Sequence, residues 1–473
     1  MKKIKMISAK RLLALLTLSA LTVSVLGACG KNSINDTDEN GRTIISVGSW
    51  PSKDGAKKQN MEDRRQRFET ENTDFVIQPD NWSFDLKSFY AKAAGGQIPI
   101  VYSTNFTEVS QIISAGYSAD LTNELKKQGL YDKMNKEVLD VVSKDGRVYA
   151  FPYAAYVLGL AYNVNLFEKA GLMNEDGTPK QPKDWNELAE FAVKIKKATG
   201  VAGFIFPTAS NVGGWIFTSV AWSYGTEFMK KDGDKWKATF DSPEAAEALR
   251  FIKDLKWKYD VLPSNTFIDY TEQFKTFGTG QGAMLIAAGD MPGDVRSYDM
   301  NPDSIGMMMI PRGPKEHVTL MGGSVHEVSN KASDKQIEGA IKWIKTAYSP
   351  DLTEQFKENR EKDINTRLDN NELITIKSMS TWNSESEAIK FDHELRDKLA
   401  NGNPNHVKLY NDFVADMGEC RMHPEEPVCA QELYAILDNC IQAVLTDKNA
   451  DCTELLKKAN SDFQQNYLDN LDY

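Results

Sequence analysis

Residues 147–172 read RVYAFPYAAYVLGLAYNVNLFEKAGL. An apolar run from Val148 to Tyr153 follows Gly146 and is interrupted by Pro152. It resumes as Leu158 to Tyr162, turns helical at Asn165 to Ala170 and stops at Gly171. Two strand-like runs joined through Tyr153–Tyr156 predict a chain that crosses between two lobes and carries part of a ligand cleft. The stretches on either side are read from that crossing outward.

Upstream, the pattern is strand, loop, helix, repeated. Thr43–Gly48 reads as a buried strand, residues 56–70 as a surface helix, and Phe75–Gln78 as a second strand. Phe84–Ala94 is a helix ended by Gly95-Gly96, and Ile98–Tyr102 a third strand that leads into a helix ending at Ala115-Gly116. This alternation predicts an α/β fold, a parallel sheet with helices on its faces. Downstream, three helices carry start signals. Asp184 with Glu187 resembles a capping box, Ser242-Pro243 places a cap before a first-turn proline, and Asp334 opens a helix with Ile337, Ala340, Ile341 and Ile344 inward. Gly203–Phe206, Ala283–Ala287, Gly306–Ile310 and Val318–Met321 are strand candidates. From about residue 353 the chain reads as helical and polar.

The chain has 473 residues, enough for two or three domains. Lys2, Lys3, Lys5, Lys10 and Arg11 precede an uncharged apolar run, Leu12 to Ala28, which is too short for a membrane span and fits a secretory leader. It ends in Leu26-Gly27-Ala28-Cys29, the form of a bacterial lipobox in which Cys29 is lipidated; an ordinary leader with an incidental Cys is the alternative. The polar residues 30–41, GKNSINDTDENG, continue as a flexible tether. The leader holds five cations and no carboxylate, so its removal takes the net charge from −11 to −16. So acidic a chain is a poor nucleic-acid binder. Contact with the membrane is expected through the lipid on Cys29 only.

Cys420, Cys429, Cys440 and Cys452 cluster near the C-terminus. Outside the cytoplasm an even number in one short region predicts two disulfides. Of the three pairings, Cys420–Cys429 and Cys440–Cys452 each close a short loop around a break. A zinc site with His423 would need a spacing that fits no common finger, and no metal or cofactor is expected. Asp36, Asp38, Asn40 and Gly41 start like a calcium loop, but Val47 stands where Glu is needed. Gly278, Gly280 and Gly282 lack the Lys-Ser/Thr of a phosphate loop. No nucleophile elbow or zinc-protease motif is present, and no carboxylate pair stands out for glycosidase chemistry.

Five ordered features together resemble a known family. They are the lipobox; GGQIPIVYSTNFTEVSQIISAGYSADLT from Gly95; the 146–172 stretch followed by DWNEL; FKTFGTGQGAMLIAAGD from Phe274; and LMGGSVHEVS from Leu320. The chain resembles extracellular solute-binding lipoproteins of ABC importers, of the sugar-binding, maltose-binding-protein-like class (family 1). Ile100 departs from the pattern, in which Asp is common after the proline. The resemblance implies a two-lobe periplasmic-binding-protein-like fold with a hinge of several crossovers. Residues 43–153 plus 319–350 would form one lobe, and 154–318 plus 351–473 the other. It implies a non-catalytic monomer that passes its ligand to membrane permease subunits.

A sugar needs flat apolar faces and planar polar groups. Trp215, after the Gly213-Gly214 pair, matches a position where the family stacks aromatics; a core Trp is the alternative, and it is the favoured reading for Trp222. Trp50 ends the first strand, where open α/β sheets bind ligands. Asn81 and Trp82 lie in the loop after the second strand, where Trp82 could instead cap the lobe edge. Thr104, Asn105 and Glu108 follow the third strand, where the family places polar contacts and where Thr104 or Asn105 could also cap a helix. Tyr156 matches a cleft-facing hinge position, with Tyr153 beside it. Asp290 is either a ligand contact or a turn residue. Gly322, Gly323 and Ser324 would offer donors at the return crossing, and Trp382 could reach the cleft from its far side. A carbohydrate ligand, an oligosaccharide, is therefore expected. A secreted glycoside hydrolase and a surface carbohydrate-binding or sensor protein are the alternatives.

Overall fold

The computed structural model describes residues 36–471. The leader and Cys29 lie outside the described residues. No described helix is long and apolar enough to cross a membrane. Eight strands form one continuous sheet: β1 (Thr43–Val47), β2 (Phe75–Pro79), β3 (Val101–Asn105), β4 (Ala150–Asn163), β5 (Met284–Ala288), β6 (Ile305–Met309), β7 (Val318–Val328) and β8 (Arg421–Pro424). The main order is β6-β4-β7-β3-β1-β2, with β5 added to β4 and β8 to β7.

The two apolar runs at the predicted crossing are one strand of 14 residues, β4. It changes partners along its length. Its first half pairs antiparallel with β7 as far as Val157–Met321, and from Leu158 it pairs with β5 and β6. Pro152 does not break it, because the ladder shifts register between Ser324 and Val325, beside Pro152. An irregularity of this kind absorbs a residue that has no N–H to give. The return strand is likewise longer than the four residues Val318–Met321 suggest. β7 runs on to Val328 and joins β3 through Ser324–Asn105 to Val328–Val101. These two long strands carry the chain from one lobe to the other and back. Residues 346–383 make a further link between the two sides of the sheet: Glu372 pairs with Arg296 (3.0 Å), and Thr381 O accepts from Asn135 N–H (2.9 Å).

The expected start signals largely operate. The carboxylate of Asp184 accepts from Glu187 N–H, and Ser242 Oγ accepts from Ala245 N–H. The helix expected to open at Asp334 is capped one residue earlier, by a Ser333–Gln336 capping box. β3 begins three residues later than expected, after Pro99. Gly203–Phe206 is extended but joins no ladder; a Cβ on Gly203 would lie 2.2 Å from Ala192 O, so the segment is pressed against the Trp185–Thr199 helix. Residues 36–42, expected in the tether, fold back on β1 through a Thr37–Thr43 bridge. β8 was not expected at all.

The expected disulfides are absent. Cys420, Cys429, Cys440 and Cys452 are free thiols. The extended β8 lies between the first two. Cys440 Sγ is turned to Leu455 O at 3.9 Å, between the Ala430–Thr446 and Cys452–Asn466 helices. His423 stacks flat on Trp222, with ring centroids 3.8 Å apart, rather than joining the cysteines. Among the described residues no group of three His, Cys, Asp or Glu is placed to hold a metal.

Candidate functional site

A cavity of about 300 Å³ opens where the two lobes meet beside β4. β4 contributes Tyr156. The start of the Phe106–Ser114 helix contributes Asn105 and Thr107 from the first lobe. The second lobe supplies Trp215, Tyr270, Asp290, Glu425 and Tyr434, with the Ser210–Val212 turn and Gln431. Asn105, Tyr156, Trp215 and Asp290 are thus brought together as the sequence predicts. Glu425, Tyr434, Gln431, Tyr270, Asn211 and Ser210 were not anticipated. Glu425 lies in the turn after β8, and Ser210 and Asn211 in the turn before the Val212–Tyr224 helix; Tyr270 starts the Tyr270–Gly278 helix, and Gln431 and Tyr434 sit on the Ala430–Thr446 helix.

Each aromatic is held from behind. Tyr156 and Trp215 meet edge to face at 6.3 Å. Tyr156 lies opposite Gly322 in the ladder, and a Cβ there would sit 2.3 Å from its hydroxyl oxygen. Gly322 is therefore needed for the tyrosine ring, and Gly323 for the approach of Ala154 O and Phe106, rather than for the donors expected of them. Ser324 Oγ donates to Asn105 Oδ1 (3.2 Å), which orients that amide. Asn105 occupies the N-cap position but makes no side-chain cap, so its amide is not committed to the helix.

Trp215 sits on the Val212–Tyr224 helix, whose start is fixed from outside. Asp438 accepts from Asn211 N–H (2.7 Å) and Gly214 N–H (2.6 Å), satisfying donors that a helix start leaves open. Burial pushes its carboxyl up to about 6, and these hydrogen bonds pull in the other direction. The Gly213-Gly214 pair does not face a ligand. A Cβ on Gly214 would lie 2.1 Å from Tyr434 O, so the pair admits the neighbouring Ala430–Thr446 helix.

The remaining predicted residues lie elsewhere. Trp50 is buried, stacks on Trp343 at 6.1 Å and donates to Glu62. Trp82 packs edge-on against Tyr102 in a small cluster with Phe89, and Asn81 is exposed outside the cavity. Thr104 donates to the buried Glu327 at 2.8 Å, a bond that ties β3 to β7. Trp382 is buried edge-on against Phe151, and Tyr153 stacks on His326. Trp222 is core and donates to Glu426. Glu108 does not line the cavity; it is buried, and burial and then the charge of Glu432 hold its carboxyl up at about 7.

Buried carboxyls are concentrated along this seam. Burial lifts Glu425 to about 8, against hydrogen bonds from Tyr434 and Trp215. It lifts Glu426 and Glu327 to about 7. A folded-state value above that of the free side chain means that the native protein keeps protons which the unfolded chain has released. Stability is therefore greatest at the acid end of the window and declines as pH rises through these values. Buried His326 and His423, held down to about 3 and about 4 by burial, act in the opposite sense only below their free value near 6.5. Between pH 6.5 and 8 the thermal midpoint of the ligand-free protein should fall by roughly 2 °C, and Glu425→Gln should flatten that slope. A midpoint that rises over the interval in scanning calorimetry would mean that these carboxyls are already ionised.

The lining carries Asp290 and Glu425 and, among the described residues, no Lys, Arg or His. Such a surface offers π-faces, amide groups and acceptors, with no fixed cation for a phosphate or carboxylate.

Comparison with known proteins agrees with the architecture. Residues 50–354 match the family model of the bacterial extracellular solute-binding proteins. The sn-glycerol-3-phosphate-binding periplasmic protein UgpB of Escherichia coli O1:K1 / APEC is 25% identical over 398 residues, 75% of this chain and 88% of that protein. Among solved structures, UgpB from Mycobacterium tuberculosis in complex with glycerophosphocholine is 18% identical with a TM-score of 0.66, covering 90% of this chain and 98% of that one. Maltose-bound T. maritima MalE3 is 21% identical with a TM-score of 0.64, covering 89% and 99%. These likenesses show a two-lobe α/β fold, and the family match covers more than half of the sequence: the chain belongs to the bacterial extracellular solute-binding proteins.

Proposed function

We propose that the interlobe cavity binds a carbohydrate, an oligosaccharide, and that the protein delivers it to the permease subunits of an ABC importer. The observation that carries this reading is the lining itself. Tyr156, Trp215, Tyr270 and Tyr434 stand beside Asn105, Asn211, Asp290 and Glu425, with no cation among them. Aromatic faces cover pyranose CH groups, and planar amides and carboxylates take hydroxyl pairs. A phosphate ester, named in the UgpB relatives, would meet two carboxylates here and, among the described residues, no Arg or Lys. The family match supports a ligand-capture role over that of a glycosidase. The lobe division proposed is 43–153 with 319–350 against 154–318 with 351–473. A lipid on Cys29 would hold this monomer on the extracytoplasmic face of the cell membrane.

Titration calorimetry against maltose, cellobiose, their longer homologues, sn-glycerol 3-phosphate and glycerophosphocholine tests the assignment. The expected result is micromolar binding of a neutral oligosaccharide, about −8 kcal/mol, with the sugar recovered intact after long incubation. Tight binding of a phosphate ester alone would overturn it, and release of shortened sugar would point to a hydrolase.

A further inference from the structure

Phe267 is the most exposed large apolar side chain among the described residues, 64% accessible, yet it is not on a loose loop. Its neighbours are pinned. Thr208 Oγ1 donates to Thr266 O (2.8 Å), and the backbone N–H groups of Thr208 and Ala209 both donate to Ile268 O (3.1 Å each). Thr266 and Ile268 are buried, so the extended alternation forces the ring between them outward. Asn265 Oδ1 accepts from Phe267 N–H at 3.1 Å, fixing the entry to the segment. An aromatic held rigidly in water, against the usual preference for burial, marks a contact surface.

That surface is continuous with the ligand cavity. Phe267 lines an open groove of about 610 Å³, and Ser210 and Asn211 line both spaces. Both residues adopt positive φ, 59° and 71°, so the chain makes a narrow ridge between them. Asp269, Glu272 and Asn439 add polar groups to the lining of this groove. The inner cavity, about 300 Å³, is at the small end for ligand sites. An oligosaccharide seated there must leave it, and the groove is a place where aromatic and hydroxyl-binding groups recur together.

We infer that the groove over the Ser210–Asn211 ridge is an outer subsite in which Phe267 stacks on a distal ring of the oligosaccharide whose first rings fill the interlobe cavity. This inference rests on the carbohydrate reading and adds a length requirement to it. Linear malto- and cello-oligosaccharides of two to six rings are titrated into the full protein and into Phe267→Ala and Phe267→Trp. In the series that binds, affinity of the unaltered protein should rise about tenfold from two rings to four. Phe267→Ala should abolish that rise while leaving the two-ring affinity and the thermal midpoint unchanged, and Phe267→Trp should restore it. Length-independent binding, or a rise that survives Phe267→Ala, would overturn the outer subsite and leave the carbohydrate reading intact. Failure of every sugar to bind the unaltered protein would overturn both.

Discussion

Trp215→Ala is expected to weaken oligosaccharide binding roughly thirtyfold, about 2 kcal/mol, in titration calorimetry. The indole is half-buried and lines the cavity. Its loss removes a stacking face and lets water reach Glu425, whose carboxyl it helps to hold. The fold should tolerate the change better than binding does. The start of the helix is fixed by Asp438 through the backbone of residues 211 and 214, not by the indole. Losses of stability and affinity in equal measure would make Trp215 a packing residue.

Gly214→Ala should damage the fold itself, although it replaces glycine by the best helix former. The helix-propensity gain is about 1 kcal/mol. Against it stands a methyl group 2.1 Å from the carbonyl oxygen of Tyr434. Overpacking of this kind costs about 1–3 kcal/mol or more, and here the obstacle is backbone, which cannot rotate away. The net expectation is a loss of about 2 kcal/mol in denaturant unfolding. Ligand affinity should fall too, since the displaced helix carries Tyr434 and Gln431 into the cavity. Unchanged stability would mean that the two helices are free to slide apart.

The features legible in the sequence were those with local causes. Caps at Asp184 and Ser242, and the cavity residues at the ends of apolar runs, Asn105 and Asp290, follow from neighbours a few positions away. Trp50 and Trp82 satisfied the same rule yet turned inward, because their partners Trp343 and Tyr102 are chosen by tertiary packing. Glu425 and Tyr434 carried no signal. A glutamate after a proline reads as a surface turn, and only the pairing of β8 with β7 draws it into the seam. The role of the glycines at 213, 214, 322 and 323 depends on which segments press against them, and only the tertiary fold decides that. These glycines make room for protein rather than for ligand.

The passages of the chain between the lobes have a consequence for where its described ends lie. On the lobe division proposed above, the two ends of the described residues belong to different lobes. The described N-terminal residues lie against β1, while the Cys452–Asn466 helix packs on the Pro243–Trp257 and Ala430–Thr446 helices. On that division the separation between exposed Asn40 and exposed Asp469 is an interlobe distance. A pair of spectroscopic labels at these two sites would report the angle between the lobes, with both probes remote from the cavity.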